Sequence, residues 1–426
     1  GFAGGIISAA VDGLKVAESI MKQYSPLYWI FWKIAFSIKN LIQCNMGLNL
    51  LIFKGELLIM KKNLILVINP GSTSTKIAVF KGEDCIYGDT LLHDSKEINR
   101  YETIYAQKEM RTSKILTWIK DKKLSLKDFC AIVGRGGLIR PLPGGTYKVT
   151  PSMIEDLKVG YQGQHASNLG GIIAYEIATD LNIHAFVVDP VSVDEMEDIA
   201  RISGMPEIER KSLGHPLNIK AVTRYICDKL DKEFYNSSYV VVHLGGGISV
   251  VPVKCGKIID VNNANEEGPF SPERVGGLPT GDVVRLAFSK KYTYKEFQKK
   301  IIGKGGLVGY IGTNDVRLIE KKIDEGDKKA ELVLKAMAYQ TGKEIGAMAA
   351  VLKGQVDAII LTGGISHSKR IVNWITNMVN FIAPIEVMPG EMEMLALAQG
   401  ALRIINNKEK VKIYEEEVHL QNDQKF

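Results

Sequence analysis

Two short turns rich in glycine and hydroxyl side chains are the part of this sequence best suited to chemistry. The first turn is Asn-Pro-Gly-Ser-Thr-Ser (69–74), which lies between an apolar run at 64–68 and a second run from Lys76 to Phe80. Glycine and short hydroxyl donors leave backbone N–H groups accessible, so such a turn can surround a phosphate. Ordinary hairpin turns favour the same residues, so this stretch by itself leaves both interpretations open.

The same pattern occurs a second time in the chain. The stretch Tyr-Val-Val-Val-His-Leu-Gly-Gly-Gly-Ile-Ser-Val-Val-Pro-Val (239–253) is again an apolar run, a glycine turn and an apolar run. When the two copies are aligned without gaps, Asn69 falls on His243 and Gly71 falls on Gly245. Two matching strand–turn–strand units predict a duplicated domain in which each glycine turn faces a cleft between the halves.

Charged side chains follow two further apolar runs. The run at 131–134 ends at Arg135, and the run at 185–188 ends at Asp189. Ligands of α/β sheets gather at the carboxyl ends of strands, so these positions are candidates for a site. A third strand-to-glycine step at 358–368 is suited to close over a nucleotide. No Gly-x-x-x-x-Gly-Lys-Ser/Thr motif occurs in the sequence, so a P-loop is excluded and the glycine turns are the candidates for holding a phosphate.

The elements that must position these residues alternate between strand and helix patterns. We predict an α/β fold of two duplicated domains around an interdomain cleft. The first domain is expected to comprise 60–190 plus 395–420, and the second 191–394. The segment 136–145 carries two prolines and four glycines, which predicts a loop.

Residues 1–59 do not share this organisation. The apolar stretch 27–38 contains Lys33 and is too short to span a bilayer. The sequence 54–56 can be encoded by a purine-rich ribosome-binding tract, and Met60 follows at translation-start distance. We therefore expect 1–59 to be a non-family extension, upstream sequence read in frame, that is not part of the fold.

Composition excludes several classes of partner and site. With 46% hydrophobic and 24% charged residues and a net charge of +6, the chain has no basic stripe interleaved with aromatics, so nucleic acid is not expected as a partner. The five cysteines are scattered and lack Cys-x-x-Cys spacing, which predicts neither a disulfide framework nor a zinc site and fits a reducing cytosol.

Four motifs narrow the reading to one family. Asn-Pro-Gly-Ser-Thr-Ser-Thr-Lys (69–76), Val-Gly-Arg-Gly-Gly-Leu-Ile-Arg-Pro (133–141) and His-Leu-Gly-Gly-Gly-Ile-Ser (243–249) resemble the acetokinase family. This family belongs to the acetate and sugar kinase, Hsp70 and actin superfamily. The resemblance implies an α/β fold of two duplicated ribonuclease-H-like domains, each a mixed five-stranded sheet with flanking helices, and makes the second domain the nucleotide-binding half. Pro-Glu-Arg-Val-Gly-Gly-Leu-Pro-Thr-Gly-Asp (272–282) resembles the butyrate kinase branch. The resemblance extends from about residue 60 to about residue 420.

The resemblance implies roles for particular residues. Arg135 would hold the substrate carboxylate and the transferring phosphoryl group, Arg274 would be the second arginine, and His215 and His243 would hydrogen-bond the phosphoryl group. Asp189 and Glu391 would serve Mg²⁺, with Glu393 as a rival to Glu391. The implied phosphate- and nucleotide-binding residues are Asn69, Gly71, Ser72, Thr73, Ser74 and Lys76 in the first turn, Gly245, Gly246 and Gly247 in the second, and Gly363, Gly364 and Ile365 in an adenine-side turn.

The implied reaction converts butyrate and ATP to butyryl phosphate and ADP, reversibly and with a possible net direction toward ATP formation. Acetate, propionate or a branched acid is the alternative substrate. More distant alternatives are a sugar kinase and a non-catalytic nucleotide-binding module of the actin or Hsp70 kind. We expect a cytoplasmic homodimer or higher homo-oligomer that does not bind a membrane, and a larger acyl pocket lined by Leu138, Ile139 and Leu142.

Overall fold

The computed structural model describes residues 63–422, with side chains described as far as Val418. The predicted extension 1–59 lies outside the described residues. Twelve strands occur in the described part: β1 (Leu64–Pro70), β2 (Ser74–Lys81), β3 (Asp84–Leu92), β4 (Phe129–Arg135), β5 (Thr146–Lys148), β6 (His184–Val188), β7 (Ser238–Leu244), β8 (Ile248–Lys254), β9 (Lys257–Ile258), β10 (Ala358–Gly363), β11 (Ile385–Pro389) and β12 (Lys412–Ile413).

The α-helices within residues 63–422 are α1 (Ser95–Ile98), α2 (Lys108–Asp121), α3 (Pro151–Val159), α4 (Asn168–Leu181), α5 (Asp198–Arg201), α6 (Pro216–Lys229), α7 (Thr280–Ala287), α8 (Tyr294–Ile301), α9 (Gly306–Ile311), α10 (Val316–Asp324), α11 (Lys328–Val351), α12 (Lys369–Val379), α13 (Glu393–Ile405) and α14 (Tyr414–Asn422). No helix in this described stretch is long and apolar enough to cross a membrane.

The strands form two sheets with the same central topology. The first sheet has the order β12-β5-β6-β4-β1-β2-β3, and the second has the order β11-β10-β7-β8-β9. In both sheets an antiparallel meander of three strands is extended by two parallel strands, β4 and β6 in one and β10 and β11 in the other. The mixed α/β architecture is therefore confirmed.

The two strand–turn–strand units match in residue spacing as well as in strand order. Asn69 and His243 are 174 positions apart (243 − 69). Strand β1 begins at Leu64 and strand β7 begins at Ser238, which is the same offset of 174. Ser74 and Ile248, which begin β2 and β8, keep the same offset. Equal spacing from strand start to turn means that the two glycine turns occupy equivalent places in the two sheets.

The first sheet has seven strands, so the expected count of five was wrong for this half. The two additional strands are short: β5 pairs antiparallel with β6, and β12 pairs parallel with β5. They extend the sheet beyond β6, where the loop 136–145 returns to the sheet edge. Only the shared centre of the sheet is duplicated.

Helix α6 lies between the two sheets and contributes to both cores. Leu217 and Ala221 pack with the β1–β4–β6 face and with helix α13. Ile219 and Val222, on the other side of α6, pack with residues of β7, β8 and β10. One amphipathic helix thus joins the two halves, while the boundaries 60–190, 191–394 and 395–420 stay a prediction.

Candidate active site

The first glycine turn, residues 71–73, is held from beneath by a buried arginine. The N–H of Gly71 donates to the carbonyl of Ser74 at 2.8 Å. Arg111, which is fully buried on α2, donates to the carbonyl oxygens of Gly71, Ser72 and Ser74 at 2.9, 3.2 and 3.0 Å. Ser72 and Thr73 are exposed, so the opposite side of the turn is accessible to a ligand.

The second turn, residues 245–247, is closed by a hydrogen bond from the N–H of Gly245 to the carbonyl of Gly247 at 3.0 Å. The guanidinium of Arg274 occupies the space beside Gly247, where an added Cβ would lie 2.1 Å from its Nη1. Ser271 Oγ donates to the carbonyl of Gly246 at 2.6 Å. Gly247 therefore makes room for the arginine that sequence analysis assigned to the second cationic role.

Arg135, Asn69 and Glu393 meet near the carboxyl ends of strands β1 and β4. Strands β1 and β4 are parallel neighbours, so Asn69 and Arg135 come together near their carboxyl ends. Arg135 donates through Nη1 to Oε1 of Glu393, and Asn69 donates through Nδ2 to Oε2 at 2.8 Å. Burial alone would raise the pKa of Glu393, but Arg135 and the Asn69 hydrogen bond outweigh it and the pKa is lowered. Glu393 is thus a carboxylate at neutral pH.

The two predicted histidines are brought together at the same place. The rings of His215 and His243 stack with centroids 4.2 Å apart and planes inclined by 17°. Burial lowers the pKa of His215 to about 3 and that of His243 to about 4. Arg135, Arg274 and Glu393 are the other charged groups that act on His215. Both imidazoles are therefore neutral at pH 7.

The tautomer of His243 follows from its neighbour Asn218. The amide oxygen of Asn218 accepts from the N–H of Met392 at 3.0 Å, which orients the amide. Its Nδ2 must then donate to Nδ1 of His243, at 3.2 Å. The proton of the neutral ring is consequently on Nε2, 3.9 Å from Oε1 of Glu391. His243 can donate that proton in a hydrogen bond to a bound anion.

These buried neutral rings predict a dependence of stability on pH. Between about pH 6.5 and pH 4 the unfolded chain binds protons at His215 and His243 that the folded protein does not bind. Stability is therefore fully present above pH 6.5 and falls as the pH drops through this window. For His243→Gln, we expect the free energy of unfolding, measured in urea at pH 5, 6 and 7, to depend less steeply on pH, by up to about 1.4 kcal/mol per pH unit. An unchanged slope in the variant would contradict the burial of a neutral ring.

The third turn, at Gly363, is tied to the cluster through residue 390. The N–H of Gly363 donates to the carbonyl of Gly390 at 2.9 Å, and the reverse bond is 3.0 Å. Gly363 has φ of +92°, and a Cβ there would lie 2.4 Å from the carbonyl oxygen of Leu244. Ile365 packs against the second core, while the space beside Gly364 is open. This turn lies next to the segment that carries Glu391 and Glu393.

Asp189 and Glu391, the two predicted metal ligands, lie in different surroundings. Asp189 is buried, accepts from the N–H of Gly145 at 2.7 Å and has Lys220, Arg224, Arg403 and Glu195 as its charged neighbours. The charged neighbours of Glu391 are Glu393, Lys76 and Arg135. Within residues 63–422, no group of three or more His, Cys, Asp or Glu side chains is arranged to hold a metal. The structure does not bring these two carboxylates together, and their metal role stays a prediction.

The expected lining of the acyl pocket is wrong at two positions. Ile139 and Leu142 have no exposed surface and belong to the core of the first sheet. The N–H of Leu142 donates to the carbonyl of Ser192 and its carbonyl accepts from the N–H of Asp194, so the loop is bonded to the segment after β6. Only Leu138 remains partly exposed.

Sequence analysis did not identify four residues that contact or influence the predicted site residues: Arg111, Asn218, Thr362 and His165. Asn218 lies three residues after His215, which puts both on one face of the first turn of α6, a signal that was available. Its Nδ2 also lies 3.4 Å from Thr362 Oγ1. Burial and the proximity of Arg135 lower the pKa of His165.

Comparison of the sequence with known proteins finds a matching family model and similar proteins. Residues 210–415 match the model of the acetokinase family. Butyrate kinase 2 of Clostridium acetobutylicum is 54% identical over 351 residues, which are 82% of this chain and 99% of that protein. A probable butyrate kinase of Clostridium botulinum is 53% identical over the same shares of both chains.

Solved structures support the fold. Acetate kinase of Porphyromonas gingivalis has a TM-score of 0.67 at 20% identity, with 80% of this chain and 100% of that chain covered. A propionate kinase of Francisella tularensis has a TM-score of 0.62 at 18% identity, with 79% and 98% covered. Since relatives more than 50% identical are matched over nearly their whole length, this chain belongs to the acetokinase family.

Proposed function

We propose that this chain is an ATP-dependent short-chain carboxylate kinase that converts butyrate and ATP to butyryl phosphate and ADP. The observation that carries the proposal is the pair of arginines, Arg135 and Arg274, whose charges both act on His215, one of two neutral, stacked histidines. A carboxylate acceptor is already ionised at neutral pH, so the reaction needs fixed cations and hydrogen-bond donors rather than a base. Membership of the acetokinase family supports the same chemistry.

In the proposed step, a carboxylate oxygen of butyrate attacks the γ-phosphorus of ATP. The new phosphorus–oxygen bond forms as the bond to the β-phosphate oxygen breaks, ADP leaves in line and no proton is transferred. Arg135 would bind the acceptor carboxylate and the phosphoryl oxygens, for which it must release Glu393. Arg274 and the Nε2–H of His243 would stabilise charge on the phosphoryl group, and the reverse step makes ATP.

A magnesium ion belongs to the proposal. Glu391 and Glu393 are neighbouring oxygen donors, and burial followed by the charge of Glu393 raises the pKa of Glu391. Two carboxylates in each other's field suit a divalent cation that takes one or two protein carboxylates. When bound, the ion would neutralise charge on the phosphoryl oxygens. This arrangement favours the two glutamates over Asp189 as magnesium ligands.

We also expect a cytoplasmic homo-oligomer, at least a dimer.

Hydroxylamine trapping tests the reaction. Only an acyl phosphate reacts with hydroxylamine to give a coloured hydroxamate, so incubation with ATP, Mg²⁺ and butyrate should produce the colour and stoichiometric ADP. ADP release with sugars but no hydroxamate would identify a sugar kinase instead. ATP binding without either product would identify a nucleotide-binding module of the actin or Hsp70 kind.

The choice of acid is a separate prediction. Each buried methylene contributes roughly 0.8 kcal/mol, so two more methylenes should favour butyrate over acetate by about tenfold in kcat/KM. Isobutyrate and valerate should be used nearly as well as butyrate, since each differs by a branch or one methylene. The measurement is kcat/KM across acetate, propionate, butyrate, isobutyrate and valerate. A maximum at acetate would refute the butyrate preference and leave the carboxylate kinase chemistry intact.

A further inference from the structure

The underside of the first glycine turn contains a buried cation that the proposed reaction does not use directly. Arg111 has no exposed surface, and its guanidinium bonds to three carbonyl oxygens of residues 71–74 and to Oγ1 of Thr75 at 3.1 Å. Gln107, one helical turn earlier on α2, accepts from Nε and Nη2 at 3.2 and 2.9 Å. All five N–H donors of the guanidinium are therefore directed at residues 71–75 or at Gln107.

Each carbonyl oxygen of residues 71–74 accepts a hydrogen bond from elsewhere in the fold. Those of Gly71, Ser72 and Ser74 accept from Arg111, and that of Thr73 accepts from the N–H of His93 at 2.9 Å. No peptide bond in the described chain is cis, so each N–H points opposite to the preceding carbonyl. The N–H groups of residues 72–74 therefore point away from the donors that hold the preceding carbonyls, and Ser72 and Thr73 are exposed residues of the turn.

The charge of Arg111 has no carboxylate partner. Burial is the sole cause that lowers its pKa, to about 10, so the group remains a cation at neutral pH. In the described part of the chain, no acidic side chain forms an ion pair with it, and Glu97 on α1 pairs instead with Lys114 at 2.6 Å. A buried cation without an anion is costly for a fold. An anion bound on the other side of the turn would supply the missing charge.

We propose that Arg111 is the positioning residue of the phosphate turn: it holds the carbonyl oxygens of residues 71, 72 and 74 inward so that the turn presents its N–H groups and hydroxyls to a phosphoryl anion. The proposal rests on the proposed function for the identity of that anion as a phosphoryl group of ATP or of an acyl phosphate. Arg111 itself does not touch the ligand. Its contribution is the orientation of the turn and a positive charge beneath it.

Two variants of Arg111 test this role against a control on the same helix. Arg111→Met removes the charge and all the carbonyl contacts, and we expect the Kd for ATP to rise by about tenfold and kcat/KM to fall by roughly a hundredfold. Arg111→Lys keeps the charge but offers three donors on a single nitrogen instead of five on a planar fork, so it cannot reproduce the contacts to both the turn and Gln107 and should recover little affinity. The control Ile115→Ala removes a fully buried side chain one turn later on α2 and away from the glycine turn.

Thermal unfolding, calorimetric titration with ATP, and the kinetics of hydroxamate formation should be measured on all four proteins. If Arg111→Met and Ile115→Ala lower Tm by a similar amount but only Arg111→Met loses ATP affinity, the result supports a role of Arg111 in positioning the phosphate turn. Equal losses in the two variants, or full affinity in Arg111→Lys, would overturn it. The calorimetric comparison decides this point even if the wild-type protein makes no acyl phosphate, in which case the proposed function fails and the positioning role is judged separately.

Discussion

Arg135→Ala is expected to lower kcat about a thousandfold, or roughly 4 kcal/mol in the barrier, while the KM for ATP changes less than threefold. The guanidinium lies in the buried centre of the site, where charge on the transferring phosphoryl group would develop in a region of low dielectric constant. Arg135→Lys should restore little, because an ammonium cannot bind two oxygens as a planar guanidinium does. Steady-state kinetics with hydroxamate detection measures both effects.

Removal of Arg135 also leaves Glu393 without its ion-pair partner, so stability must be measured alongside turnover. Arg140→Ala is the matched control, since Arg140 lies five residues later and pairs with Asp156 at 2.9 Å outside the site. That variant should retain wild-type kcat. Near-normal turnover in Arg135→Lys would refute the role assigned to Arg135.

Gly247→Ala should lower kcat/KM about a hundredfold with a loss of stability below about 1 kcal/mol. The new Cβ would lie 2.1 Å from Nη1 and 2.7 Å from Cζ of Arg274, and 3.3 Å from Cβ of Ala264. The end of a flexible side chain can move away, so the arginine is displaced while the fold is kept. Gly247 is not in the left-handed region, so the backbone tolerates alanine.

Two comparisons isolate the displacement of Arg274. Arg274→Ala should lose activity to a similar degree, since it removes the group that Gly247→Ala moves. Gly246→Ala should lose less, because its Cβ would meet nothing nearer than Oε2 of Glu273 at 3.7 Å. Kinetics and urea unfolding of the three variants provide the measurement. Wild-type kcat/KM in Gly247→Ala would mean that the position of Arg274 is not required.

Much of the architecture is determined by local sequence pattern. The apolar runs and glycine turns at 64–80 and 239–253 predicted two hairpins with one offset, and the strands begin at that offset. Strand pairing across a tight turn depends on neighbouring residues, so it can be read from a single stretch. The strand ends at Arg135 and Asp189 and the loop at 136–145 follow from the same kind of local signal.

Side-chain partners in the site were decided by tertiary structure alone. Glu393 bonds to Asn69, 324 residues earlier, because α13 packs back on the first sheet at the ends of β1 and β4. No local pattern distinguishes Glu393 from Glu391, two residues away. Ile139 and Leu142 have the composition of a pocket wall, and only the return of their loop to the sheet edge puts them in the core.

Arg111 shows most clearly the difference between what local sequence predicts and what tertiary packing determines. Its sequence context, an amphipathic helix with a glutamine four residues earlier, predicts an ordinary surface arginine. The docking of α2 against the turn 71–74 buries it and directs its donors at three carbonyls. The sequence by itself determined the family, the two glycine turns and the strands that carry them. The charge pairs depend on how segments far apart in the chain pack together. A buried charge is costly unless it is paired or hydrogen-bonded, and only the tertiary structure determines which groups lie close enough to pair with it.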